Sequence, residues 1–372
     1  MPDFPRAEYE ARTARAQAAM AAAGFDAILL TTEPEFRYFS GFRTAFWLSP
    51  TRPWFLILPR EGRPVAVIPE IGAALMAQTW VEDMRTWPAP RPDDDGVSLL
   101  RDALRPYPRL GLPTGPETSL RMPLADLRAL GREFGDAAPL LRDLRMVKSV
   151  AEIAKIESIC RIGSAAFARA PRLFAPGMSM AAAFRAFRIA LLEAGAEEVP
   201  YLVGGHGPEG YADVISPPGP EPLREGDVLM LDTGASLEGY FCDFDRNFAL
   251  GHASEAARRG HARLHAAVEA GLAAARPGES CAGLWRAMAE SLGAGAGGDV
   301  GRFGHGLGMQ LTEPPSLAPW DGTPLRPGMV LTLEPSVETG PGLMMVAEEV
   351  IVVEEGGARL LTERAPPDLP VI

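Results

Sequence analysis

Acidic residues in the C-terminal half of the chain lie at the ends of short apolar runs. Asp232 follows the apolar run 228–231, and a Glu238-Gly239 pair typical of a hairpin turn separates it from Asp243. The two aspartates lie at roughly equal distances from this turn. Such positions face each other across an antiparallel ladder, on the same side of the sheet. We therefore expect this hairpin to present a pair of carboxylates.

A second hairpin repeats the arrangement later in the chain. Glu334 follows the apolar run 329–333, and the chain turns at a Gly-Pro-Gly sequence centred on Pro341 before it returns through Glu348. Glu334 and Glu348 are equally far from Pro341. They too are expected to face each other across a ladder.

A single histidine lies between the two hairpins, where it can complete a metal site. Buried carboxylates repel one another and are costly to desolvate, so four of them are reasonable in a core only if cations hold them together. His305 is flanked by glycines that allow close approach of the backbone. Four carboxylates and one imidazole suit hard or borderline divalent ions such as Mn, Co, Fe or Zn. Two ions of charge +2 would balance four carboxylates, so we expect two per chain.

The order of these residues resembles the pita-bread metallohydrolases, which include aminopeptidase P, the Xaa-Pro dipeptidases, methionine aminopeptidase and creatinase. The resemblance extends over nearly the whole chain and rests on two aspartates separated by ten residues, a GHGLG segment, an LEP tripeptide and a late glutamate. For that glutamate, Glu348 fits the family's spacing better than Glu349. The resemblance implies a proton-transfer role for Glu334 in addition to metal binding. It implies five metal ligands: Asp232, Asp243, His305, Glu334 and Glu348.

The residues that bind substrate in the family's proline-specific peptidases are not all present. Those peptidases carry two further histidines, and here the matching positions fall near Ile215-Ser216 and at Thr312. His206, which we place in a glycine-rich loop, is a candidate to replace the first, although a lone loop histidine is more often incidental. Thr312 is a candidate to replace the second as a shorter donor. Val346 stands where the family commonly has an arginine.

Two further features have alternative interpretations. Asp245 lies on the same strand face as Asp243, where many relatives have threonine. It either accepts a hydrogen bond from Arg246 or a backbone donor and so supports a ligand, or it makes the site more acidic and alters the metal preference. His261 and His265 are four residues apart on a predicted helix, which favours packed or solvent-facing histidines over a metal site because no acidic HExxH motif accompanies them.

These observations favour a dinuclear metal-dependent hydrolase that resembles Xaa-Pro dipeptidase and aminopeptidase P. It would cleave a peptide C–N bond with a water that bridges the two metals. The missing histidines leave open a non-peptidase enzyme on the same scaffold, a lyase or hydrolase of a small polar metabolite, as creatinase and dimethylsulfoniopropionate lyase are in this family. A binding protein without activity is the third hypothesis, and the complete set of metal ligands argues against it.

The bulk properties limit the classes of partner. A net charge of −12 without a basic cluster argues against nucleic acid. No signal peptide is recognised and no apolar run is long enough to span a bilayer, so no membrane partner is expected. Three scattered cysteines show no disulfide framework, which favours a cytoplasmic protein. We expect a small-molecule or short-peptide substrate and, from the resemblance, a homodimer.

The length of 372 residues suggests two domains, and the overall class is α/β (α+β). Alternating helix and strand patterns predict an N-terminal α/β domain over residues 1–147. The resemblance implies that it is the family's creatinase-like domain. Its segment EFRYFSGF (35–42) resembles a turn that follows the first strand in the family, in a domain that packs on the partner subunit and can form a wall of the active site.

Residues 148–372 are expected to form the pita-bread catalytic domain, a curved and mainly antiparallel sheet covered by helices. Ser149 and Glu152 form a capping-box pattern at the start of its first helix. Helices 254–275 and 281–292 should cover one face of the sheet, with the metal site on the other.

Overall fold

The computed structural model describes residues 3–49, 51–293 and 301–372. Contacts between Cα atoms divide the chain into two units, Met1–Arg145 and Met146–Ile372. This division falls close to the sequence-based boundary after residue 147. No helix in the described residues is long and apolar enough to cross a membrane.

The N-terminal unit is built on one six-stranded mixed sheet with the spatial order β4-β3-β2-β1-β5-β6. Its strands are β1 Ala27–Leu30, β2 Phe55–Pro59, β3 Val65–Pro69, β4 Asp83–Trp87, β5 Leu110–Leu112 and β6 Phe134–Asp136. Its helices are α1 Arg6–Ala23, α2 Glu33–Ser40, α3 Ala73–Met76, α4 Val97–Leu104, α5 Leu124–Ala129 and α6 Ala138–Met146, the last of which ends one residue into the second unit. Strands β1, β2 and β3 are buried along their whole length because they are continuous apolar runs in the centre of the sheet. The predicted α/β domain is confirmed.

One segment of this unit differs from its predicted form. The segment 35–42, expected as a turn, is mostly helix α2, which begins with a proline in its first turn and ends at Gly41 in the left-handed conformation with φ of 73°. A side chain at Gly41 would also collide with Tyr9, whose hydroxyl would lie 2.5 Å from an added Cβ. Helix α5 begins after Pro123, because the residue before a proline is disfavoured in the helical conformation.

The C-terminal unit contains antiparallel sheets, as expected for a pita-bread domain. Strands β8, β10 and β7 form one sheet in the order β10-β8-β7 with β9 paired to β8, and a second sheet has the order β12-β11-β13-β16-β17. A separate hairpin is formed by β14 and β15. The strands are β7 Glu198–Gly207, β8 Val228–Leu237, β9 Tyr240–Phe241, β10 Phe244–Ala249, β11 His305–Gly306, β12 Glu313–Ser316, β13 Val330–Leu333, β14 Ser336–Gly340, β15 Leu343–Val346, β16 Glu349–Glu354 and β17 Gly357–Leu360.

Helix α7 carries the predicted capping box. The unit's helices are α7 Val150–Phe167, α8 Ala170–Leu173, α9 Met180–Ala194, α10 Glu255–Ala274 and α11 Cys281–Leu292. Ser149 Oγ accepts the Glu152 backbone N–H at 3.3 Å, and Glu152 Oε2 accepts the Ser149 backbone N–H at 2.9 Å. The other Glu152 oxygen accepts a hydrogen bond from the Tyr240 hydroxyl at 2.9 Å, which joins the start of α7 to β9.

The helices pack on the sheet face that is opposite the predicted metal ligands. A Cβ added at Gly163 of α7 would lie 2.8 Å from the Phe244 ring, and one at Gly271 of α10 would lie 3.3 Å from Leu333. Phe244 and Leu333 are neighbours in sequence of acidic residues, and side chains alternate along a strand. The predicted separation of helices and metal site onto two faces is therefore confirmed. His261 of α10 is buried on the helix side, where its Nε2 donates to the Pro366 carbonyl oxygen at 2.9 Å.

Candidate metal centre

The ladder between β8 and β10 places three aspartates on one face of the sheet. The turn of this hairpin is at Glu238-Gly239, as predicted, because Leu237 pairs with Tyr240. The direct partner of Asp232 is Asp245, however, so the predicted direct pairing of Asp232 with Asp243 is wrong by two residues. Because the side-chain period of a strand is two, Asp243 still lies on the same face, diagonally across from Asp232.

The second hairpin has the predicted register. The last pair of the β13–β16 ladder and the first pair of the β14–β15 ladder follow one register, which places Glu334 opposite Glu348 between them. The adjacent Glu349 points to the other face, where its Oε2 accepts a hydrogen bond from Arg246 at 3.0 Å. The structure therefore brings Glu348, and not Glu349, to the carboxylate cluster.

His305 is fixed so that one nitrogen faces the carboxylates. Its backbone N–H donates to Thr332 Oγ1 at 3.1 Å, and its Nδ1 donates to the Gly306 carbonyl oxygen at 2.9 Å. The preceding Gly304 has φ of 131°, and a Cβ there would lie 2.1 Å from the Thr332 carbonyl oxygen, so only glycine fits. The Nε2 atom is left with a lone pair 3.4 Å from Asp243 Oδ2. Two facing acceptors at this distance suit a cation between them.

This group of side chains offers the donor atoms of a metal site. Asp243, His305 and Glu348 each offer one ligand atom, and these atoms all lie within 4.8 Å of one another. Asp232 Oδ1 and Glu348 Oε1 are buried and have no hydrogen-bond partner among the described residues. A buried acceptor without a donor costs free energy, and metal coordination removes that cost. The residues present therefore fit divalent metal ions.

The pKa values of the cluster are shifted toward the neutral forms of its side chains. Burial raises the pKa of Asp232 to about 6 and, together with the charge of Asp232, raises that of Glu334 to about 7. Burial and the surrounding carboxylates raise the pKa values of Asp243 and Glu348 well above their ordinary range. Burial lowers the pKa of His305 to about 4, so its imidazole is neutral and able to bind a metal.

Asp245 accepts a hydrogen bond from a backbone donor, as the first of its two alternative interpretations describes. Its Oδ1 accepts the backbone N–H of Glu348 at 3.2 Å, and its side chain is buried. Arg246 donates to the backbone carbonyl oxygens of Asp245 and Glu348 at 2.6 and 3.0 Å, not to the Asp245 carboxylate. The start of strand β10 is thus tied to the backbone of Glu348 from both faces of the sheet.

Tyr201 contacts the cluster directly. It lies on β7 opposite Gly234, on the same face as Asp232, and its hydroxyl donates to Asp232 Oδ2 at 3.1 Å. The absent side chain of Gly234 leaves room for the Tyr201 ring, since an added Cβ would lie 3.0 Å from Tyr201 Cβ. Tyr201 therefore orients the one oxygen of Asp232 that has a partner.

The structure does not bring His206 to the cluster. His206 lies within strand β7, not in the predicted loop, and pairs with Leu229, so its side chain is on the face opposite Asp232. There its Nδ1 lies 3.0 Å from Asp227 Oδ2. The glycines around it permit close packing of β7 on its neighbours instead of forming a loop, because a Cβ at Gly204 would lie 2.2 Å from the Met230 carbonyl oxygen.

Thr312 is exposed, and no hydrogen bond among the described residues joins it to the five predicted ligands. Its neighbour Glu313 is buried, with Oε2 3.3 Å from Lys148 Nζ and Oε1 accepting the Gln310 backbone N–H at 3.0 Å. Glu313 thus anchors the start of strand β12, while Thr312 itself faces solvent.

Sequence reasoning did not identify Arg302, whose charge acts on the cluster. The positive charge of Arg302 opposes the rise in the pKa values of Asp243 and Glu334 and adds to the lowering of the pKa of His305. Its position three residues before His305 was the available signal, but nothing in the local pattern shows which way a lone arginine points.

Comparison with known proteins agrees with this geometry. The model of metallopeptidase family M24 matches residues 154–359, more than half of the chain, and the model of the creatinase/prolidase N-terminal domain matches residues 12–147. The chain belongs to metallopeptidase family M24. The resemblance to the pita-bread metallohydrolases and the prediction of a metal-dependent hydrolase of the metallopeptidase type are confirmed.

Individual relatives cover the same region. The crystal structure of dipeptidase PepE from Mycobacterium ulcerans has 29% sequence identity and a TM-score of 0.84, with 99% of each chain covered. The Xaa-Pro dipeptidase of Pyrococcus furiosus is 27% identical over 240 residues, which are 62% of this chain and 67% of that protein. The agropine synthesis cyclase of Rhizobium rhizogenes is 30% identical over 387 residues, with 95% of this chain and 96% of that protein covered.

The raised pKa values predict an unusual pH dependence of stability. In the unfolded chain the side chains of Asp232 and Glu334 titrate near pH ~4, whereas in the metal-free fold their pKa values are about 6 and about 7. The folded chain therefore binds more protons than the unfolded chain within this window. The free energy of unfolding should fall as the pH rises through it, by about 1.4 kcal/mol per pH unit for each group. Chemical unfolding of chelator-treated protein at about pH 5 and about pH 8 measures this fall.

Two comparisons assign that effect to the cluster. Glu334→Gln should reduce the fall, because it removes one of the titrating groups, whereas Glu338→Gln at the exposed position of strand β14 should not. Adding a divalent metal should raise stability most at the higher pH, where the carboxylates are ionised. A chelated wild-type protein that is equally stable or more stable at the higher pH would contradict the raised pKa values.

Proposed function

We propose that this metallopeptidase hydrolyses the peptide bond of dipeptides with the help of two divalent metal ions. The residues that would hold the ions are Asp232, Asp243, His305, Glu334 and Glu348. The observation that carries the proposal is the buried carboxylate cluster beside a neutral histidine, in which two oxygens have no hydrogen-bond partner among the described residues. When bound, two such ions supply a water of lowered pKa and polarise the scissile carbonyl group. Mn, Co, Fe and Zn all suit this donor set.

Glu334 is the member of the cluster that we assign to proton transfer. Its side chain is partly exposed, whereas those of Asp232, Asp243 and Glu348 are buried. A carboxylate at the open side of the cluster can take a proton from the attacking water on one of its oxygens and give it to the leaving nitrogen. The backbone N–H of Glu334 donates to the Phe303 carbonyl oxygen at 3.0 Å, which fixes the start of this side chain.

The other residues hold the donor atoms in place. The Tyr201 hydroxyl keeps Asp232 Oδ2 in position, and the Nδ1–H of His305 is held by the Gly306 carbonyl oxygen, so that Nε2 keeps its lone pair. Asp245 fixes the backbone of Glu348. Such supporting hydrogen bonds orient metal ligands and raise their affinity.

Glu334→Gln tests the double role of this residue. The amide keeps the shape but cannot accept a proton or carry negative charge, so we expect loss of peptidase activity by at least about a hundredfold and weaker metal binding. Steady-state kinetics and calorimetric titration with Mn²⁺ measure the two effects.

Glu338→Gln is the matched control, since Glu338 is exposed on β14 and the same change of charge should leave both quantities unchanged. If metal-loaded Glu334→Gln has unaltered activity, Glu334 does not transfer the proton.

The substrate pocket differs from that of proline-specific peptidases. Ile215, near the first expected histidine position, is 78% exposed and carries no donor, and the structure does not bring His206 to the cluster. A donor to the developing oxyanion typically contributes about 3 kcal/mol, or roughly a hundredfold in rate. The dipeptidase relatives favour peptide hydrolysis over a lyase or hydrolase acting on a small polar metabolite, and that alternative becomes an outcome of the substrate test.

We expect Ala-Pro and Leu-Pro to be poor substrates, with kcat/KM well below roughly 10⁵ M⁻¹s⁻¹. Other dipeptides should be better, because the two imidazoles that serve X-Pro substrates are missing. The measurement is a steady-state comparison of metal-loaded protein on X-Pro dipeptides, other dipeptides and a panel of small amides.

Two results would count against this account. Efficient cleavage of Ala-Pro would show that the loss of the histidines has no cost. Turnover of a small amide without turnover of any dipeptide would replace the peptidase by the non-peptidase alternative.

A further inference from the structure

A positive charge lies at the edge of the carboxylate cluster. Arg302 is half-buried, and its Nη1 lies 3.5 Å from Ser316 Oγ. Ser316 is the ladder partner of His305 across β11 and β12. The guanidinium is thus held next to the strand pair that carries the metal-binding histidine.

The backbone beside Arg302 is fixed on the other side by Glu334. The Phe303 carbonyl oxygen accepts the Glu334 backbone N–H at 3.0 Å, and the Phe303 N–H donates to the Leu317 carbonyl oxygen at 2.8 Å. The Phe303 ring is buried and stacks on Trp285 with ring centroids 5.8 Å apart. The backbone next to Arg302 is therefore held in place between His305 and Glu334.

Most of the guanidinium of Arg302 is available to a ligand. An arginine has five N–H donors in a fixed fork. Among the described residues, the only hydrogen bond of Arg302 is that with Ser316, and no carboxylate forms an ion pair with it. Its partial exposure places the remaining donors where a substrate can reach them.

The chemistry of a dipeptide matches this arrangement. The carboxylate of a dipeptide is two covalent bonds from the scissile nitrogen, so it must bind close to the metal centre. Two divalent ions would balance four of the carboxylates, and the surplus negative charge of Asp245 would still disfavour such an anion unless a further cation faces it. The arginine fork binds a carboxylate through two parallel hydrogen bonds, which gives both affinity and orientation.

We propose that Arg302 binds the free carboxylate of the substrate and so restricts the enzyme to dipeptides. This inference rests on the proposed function and adds a specificity-determining residue to it. The competing role is electrostatic only: Arg302 would balance the surplus negative charge of Asp245 near the metal ions without touching substrate. That role predicts an effect on metal content, and no discrimination between a substrate carboxylate and its amide.

The test compares a good dipeptide substrate with its C-terminal amide, using metal-loaded wild-type protein, Arg302→Met and Arg302→Lys. Wild-type protein should prefer the free acid. Arg302→Met should lower kcat/KM for the free acid by about tenfold to a hundredfold, mainly through KM, and leave the amide unchanged. Arg302→Lys should be intermediate, because it keeps the charge without the fork.

Controls separate this role from a structural one. Arg161→Met removes an exposed arginine of α7 and should behave as the wild type. Elemental analysis of each variant should show unchanged metal content. Equal losses for acid and amide in Arg302→Met, or no preference for the acid in the wild type, would overturn the proposal.

A second measurement does not depend on turnover. Calorimetric binding of a dipeptide analogue with a reduced peptide bond, as the free acid and as the amide, should show the same preference and the same loss in Arg302→Met. Absence of dipeptide hydrolysis would defeat the proposed function alone. Equal binding of acid and amide to the wild type would defeat the role of Arg302.

Discussion

Mutual repulsion of buried carboxylates is the constraint on which the C-terminal unit depends. Asp232, Asp243, Asp245, Glu334 and Glu348 all have raised pKa values, and burial is the largest cause for each of them. A fold that gathers such groups is penalised in stability at neutral pH unless cations bind to them. The same arrangement that destabilises the metal-free chain should favour the binding of divalent ions, because metal binding and folding are coupled.

The scaffold meets this constraint by using its two sheet faces differently. One face is apolar and packs against α7 and α10, with Phe244 and Leu333 among its contacts, so the strands remain in place when the charges on the other face repel. Arg246 works from the apolar side, where it binds the backbone carbonyl oxygens of Asp245 and Glu348. Strand positions that alternate between core and site therefore couple packing to metal binding.

Much of the site could be predicted because it follows from local periodicity. Glu334 and Glu348 are placed by a short turn between two apolar strands, and the register read from the turn is the observed one. For Asp232 the predicted partner is two residues away from the observed one, yet the face is right, because a shift of two positions keeps the side of a strand. The helix capping by Ser149 is local in the same way.

The remaining features depend on contacts between distant segments, which the local pattern does not encode. His206 could not be placed, because only its pairing with Leu229 shows that it lies in a strand and on the opposite face. Arg302 acquires its position from Ser316, which is brought near by a ladder. The family resemblance predicts a turn at 35–42, most of which lies in helix α2, and the eight residues of this helix are too few for periodicity to reveal it.

The most direct test of the central claim is a titration of chelator-treated protein with Mn²⁺, in which bound ions and released protons are counted together. The account predicts two ions per chain and a release of protons near pH ~6.5, because carboxyl groups that hold protons in the metal-free protein must give them up to bind metal. Folded protein that binds less than about one ion of Mn, Co, Fe or Zn per chain, without proton release, would contradict it.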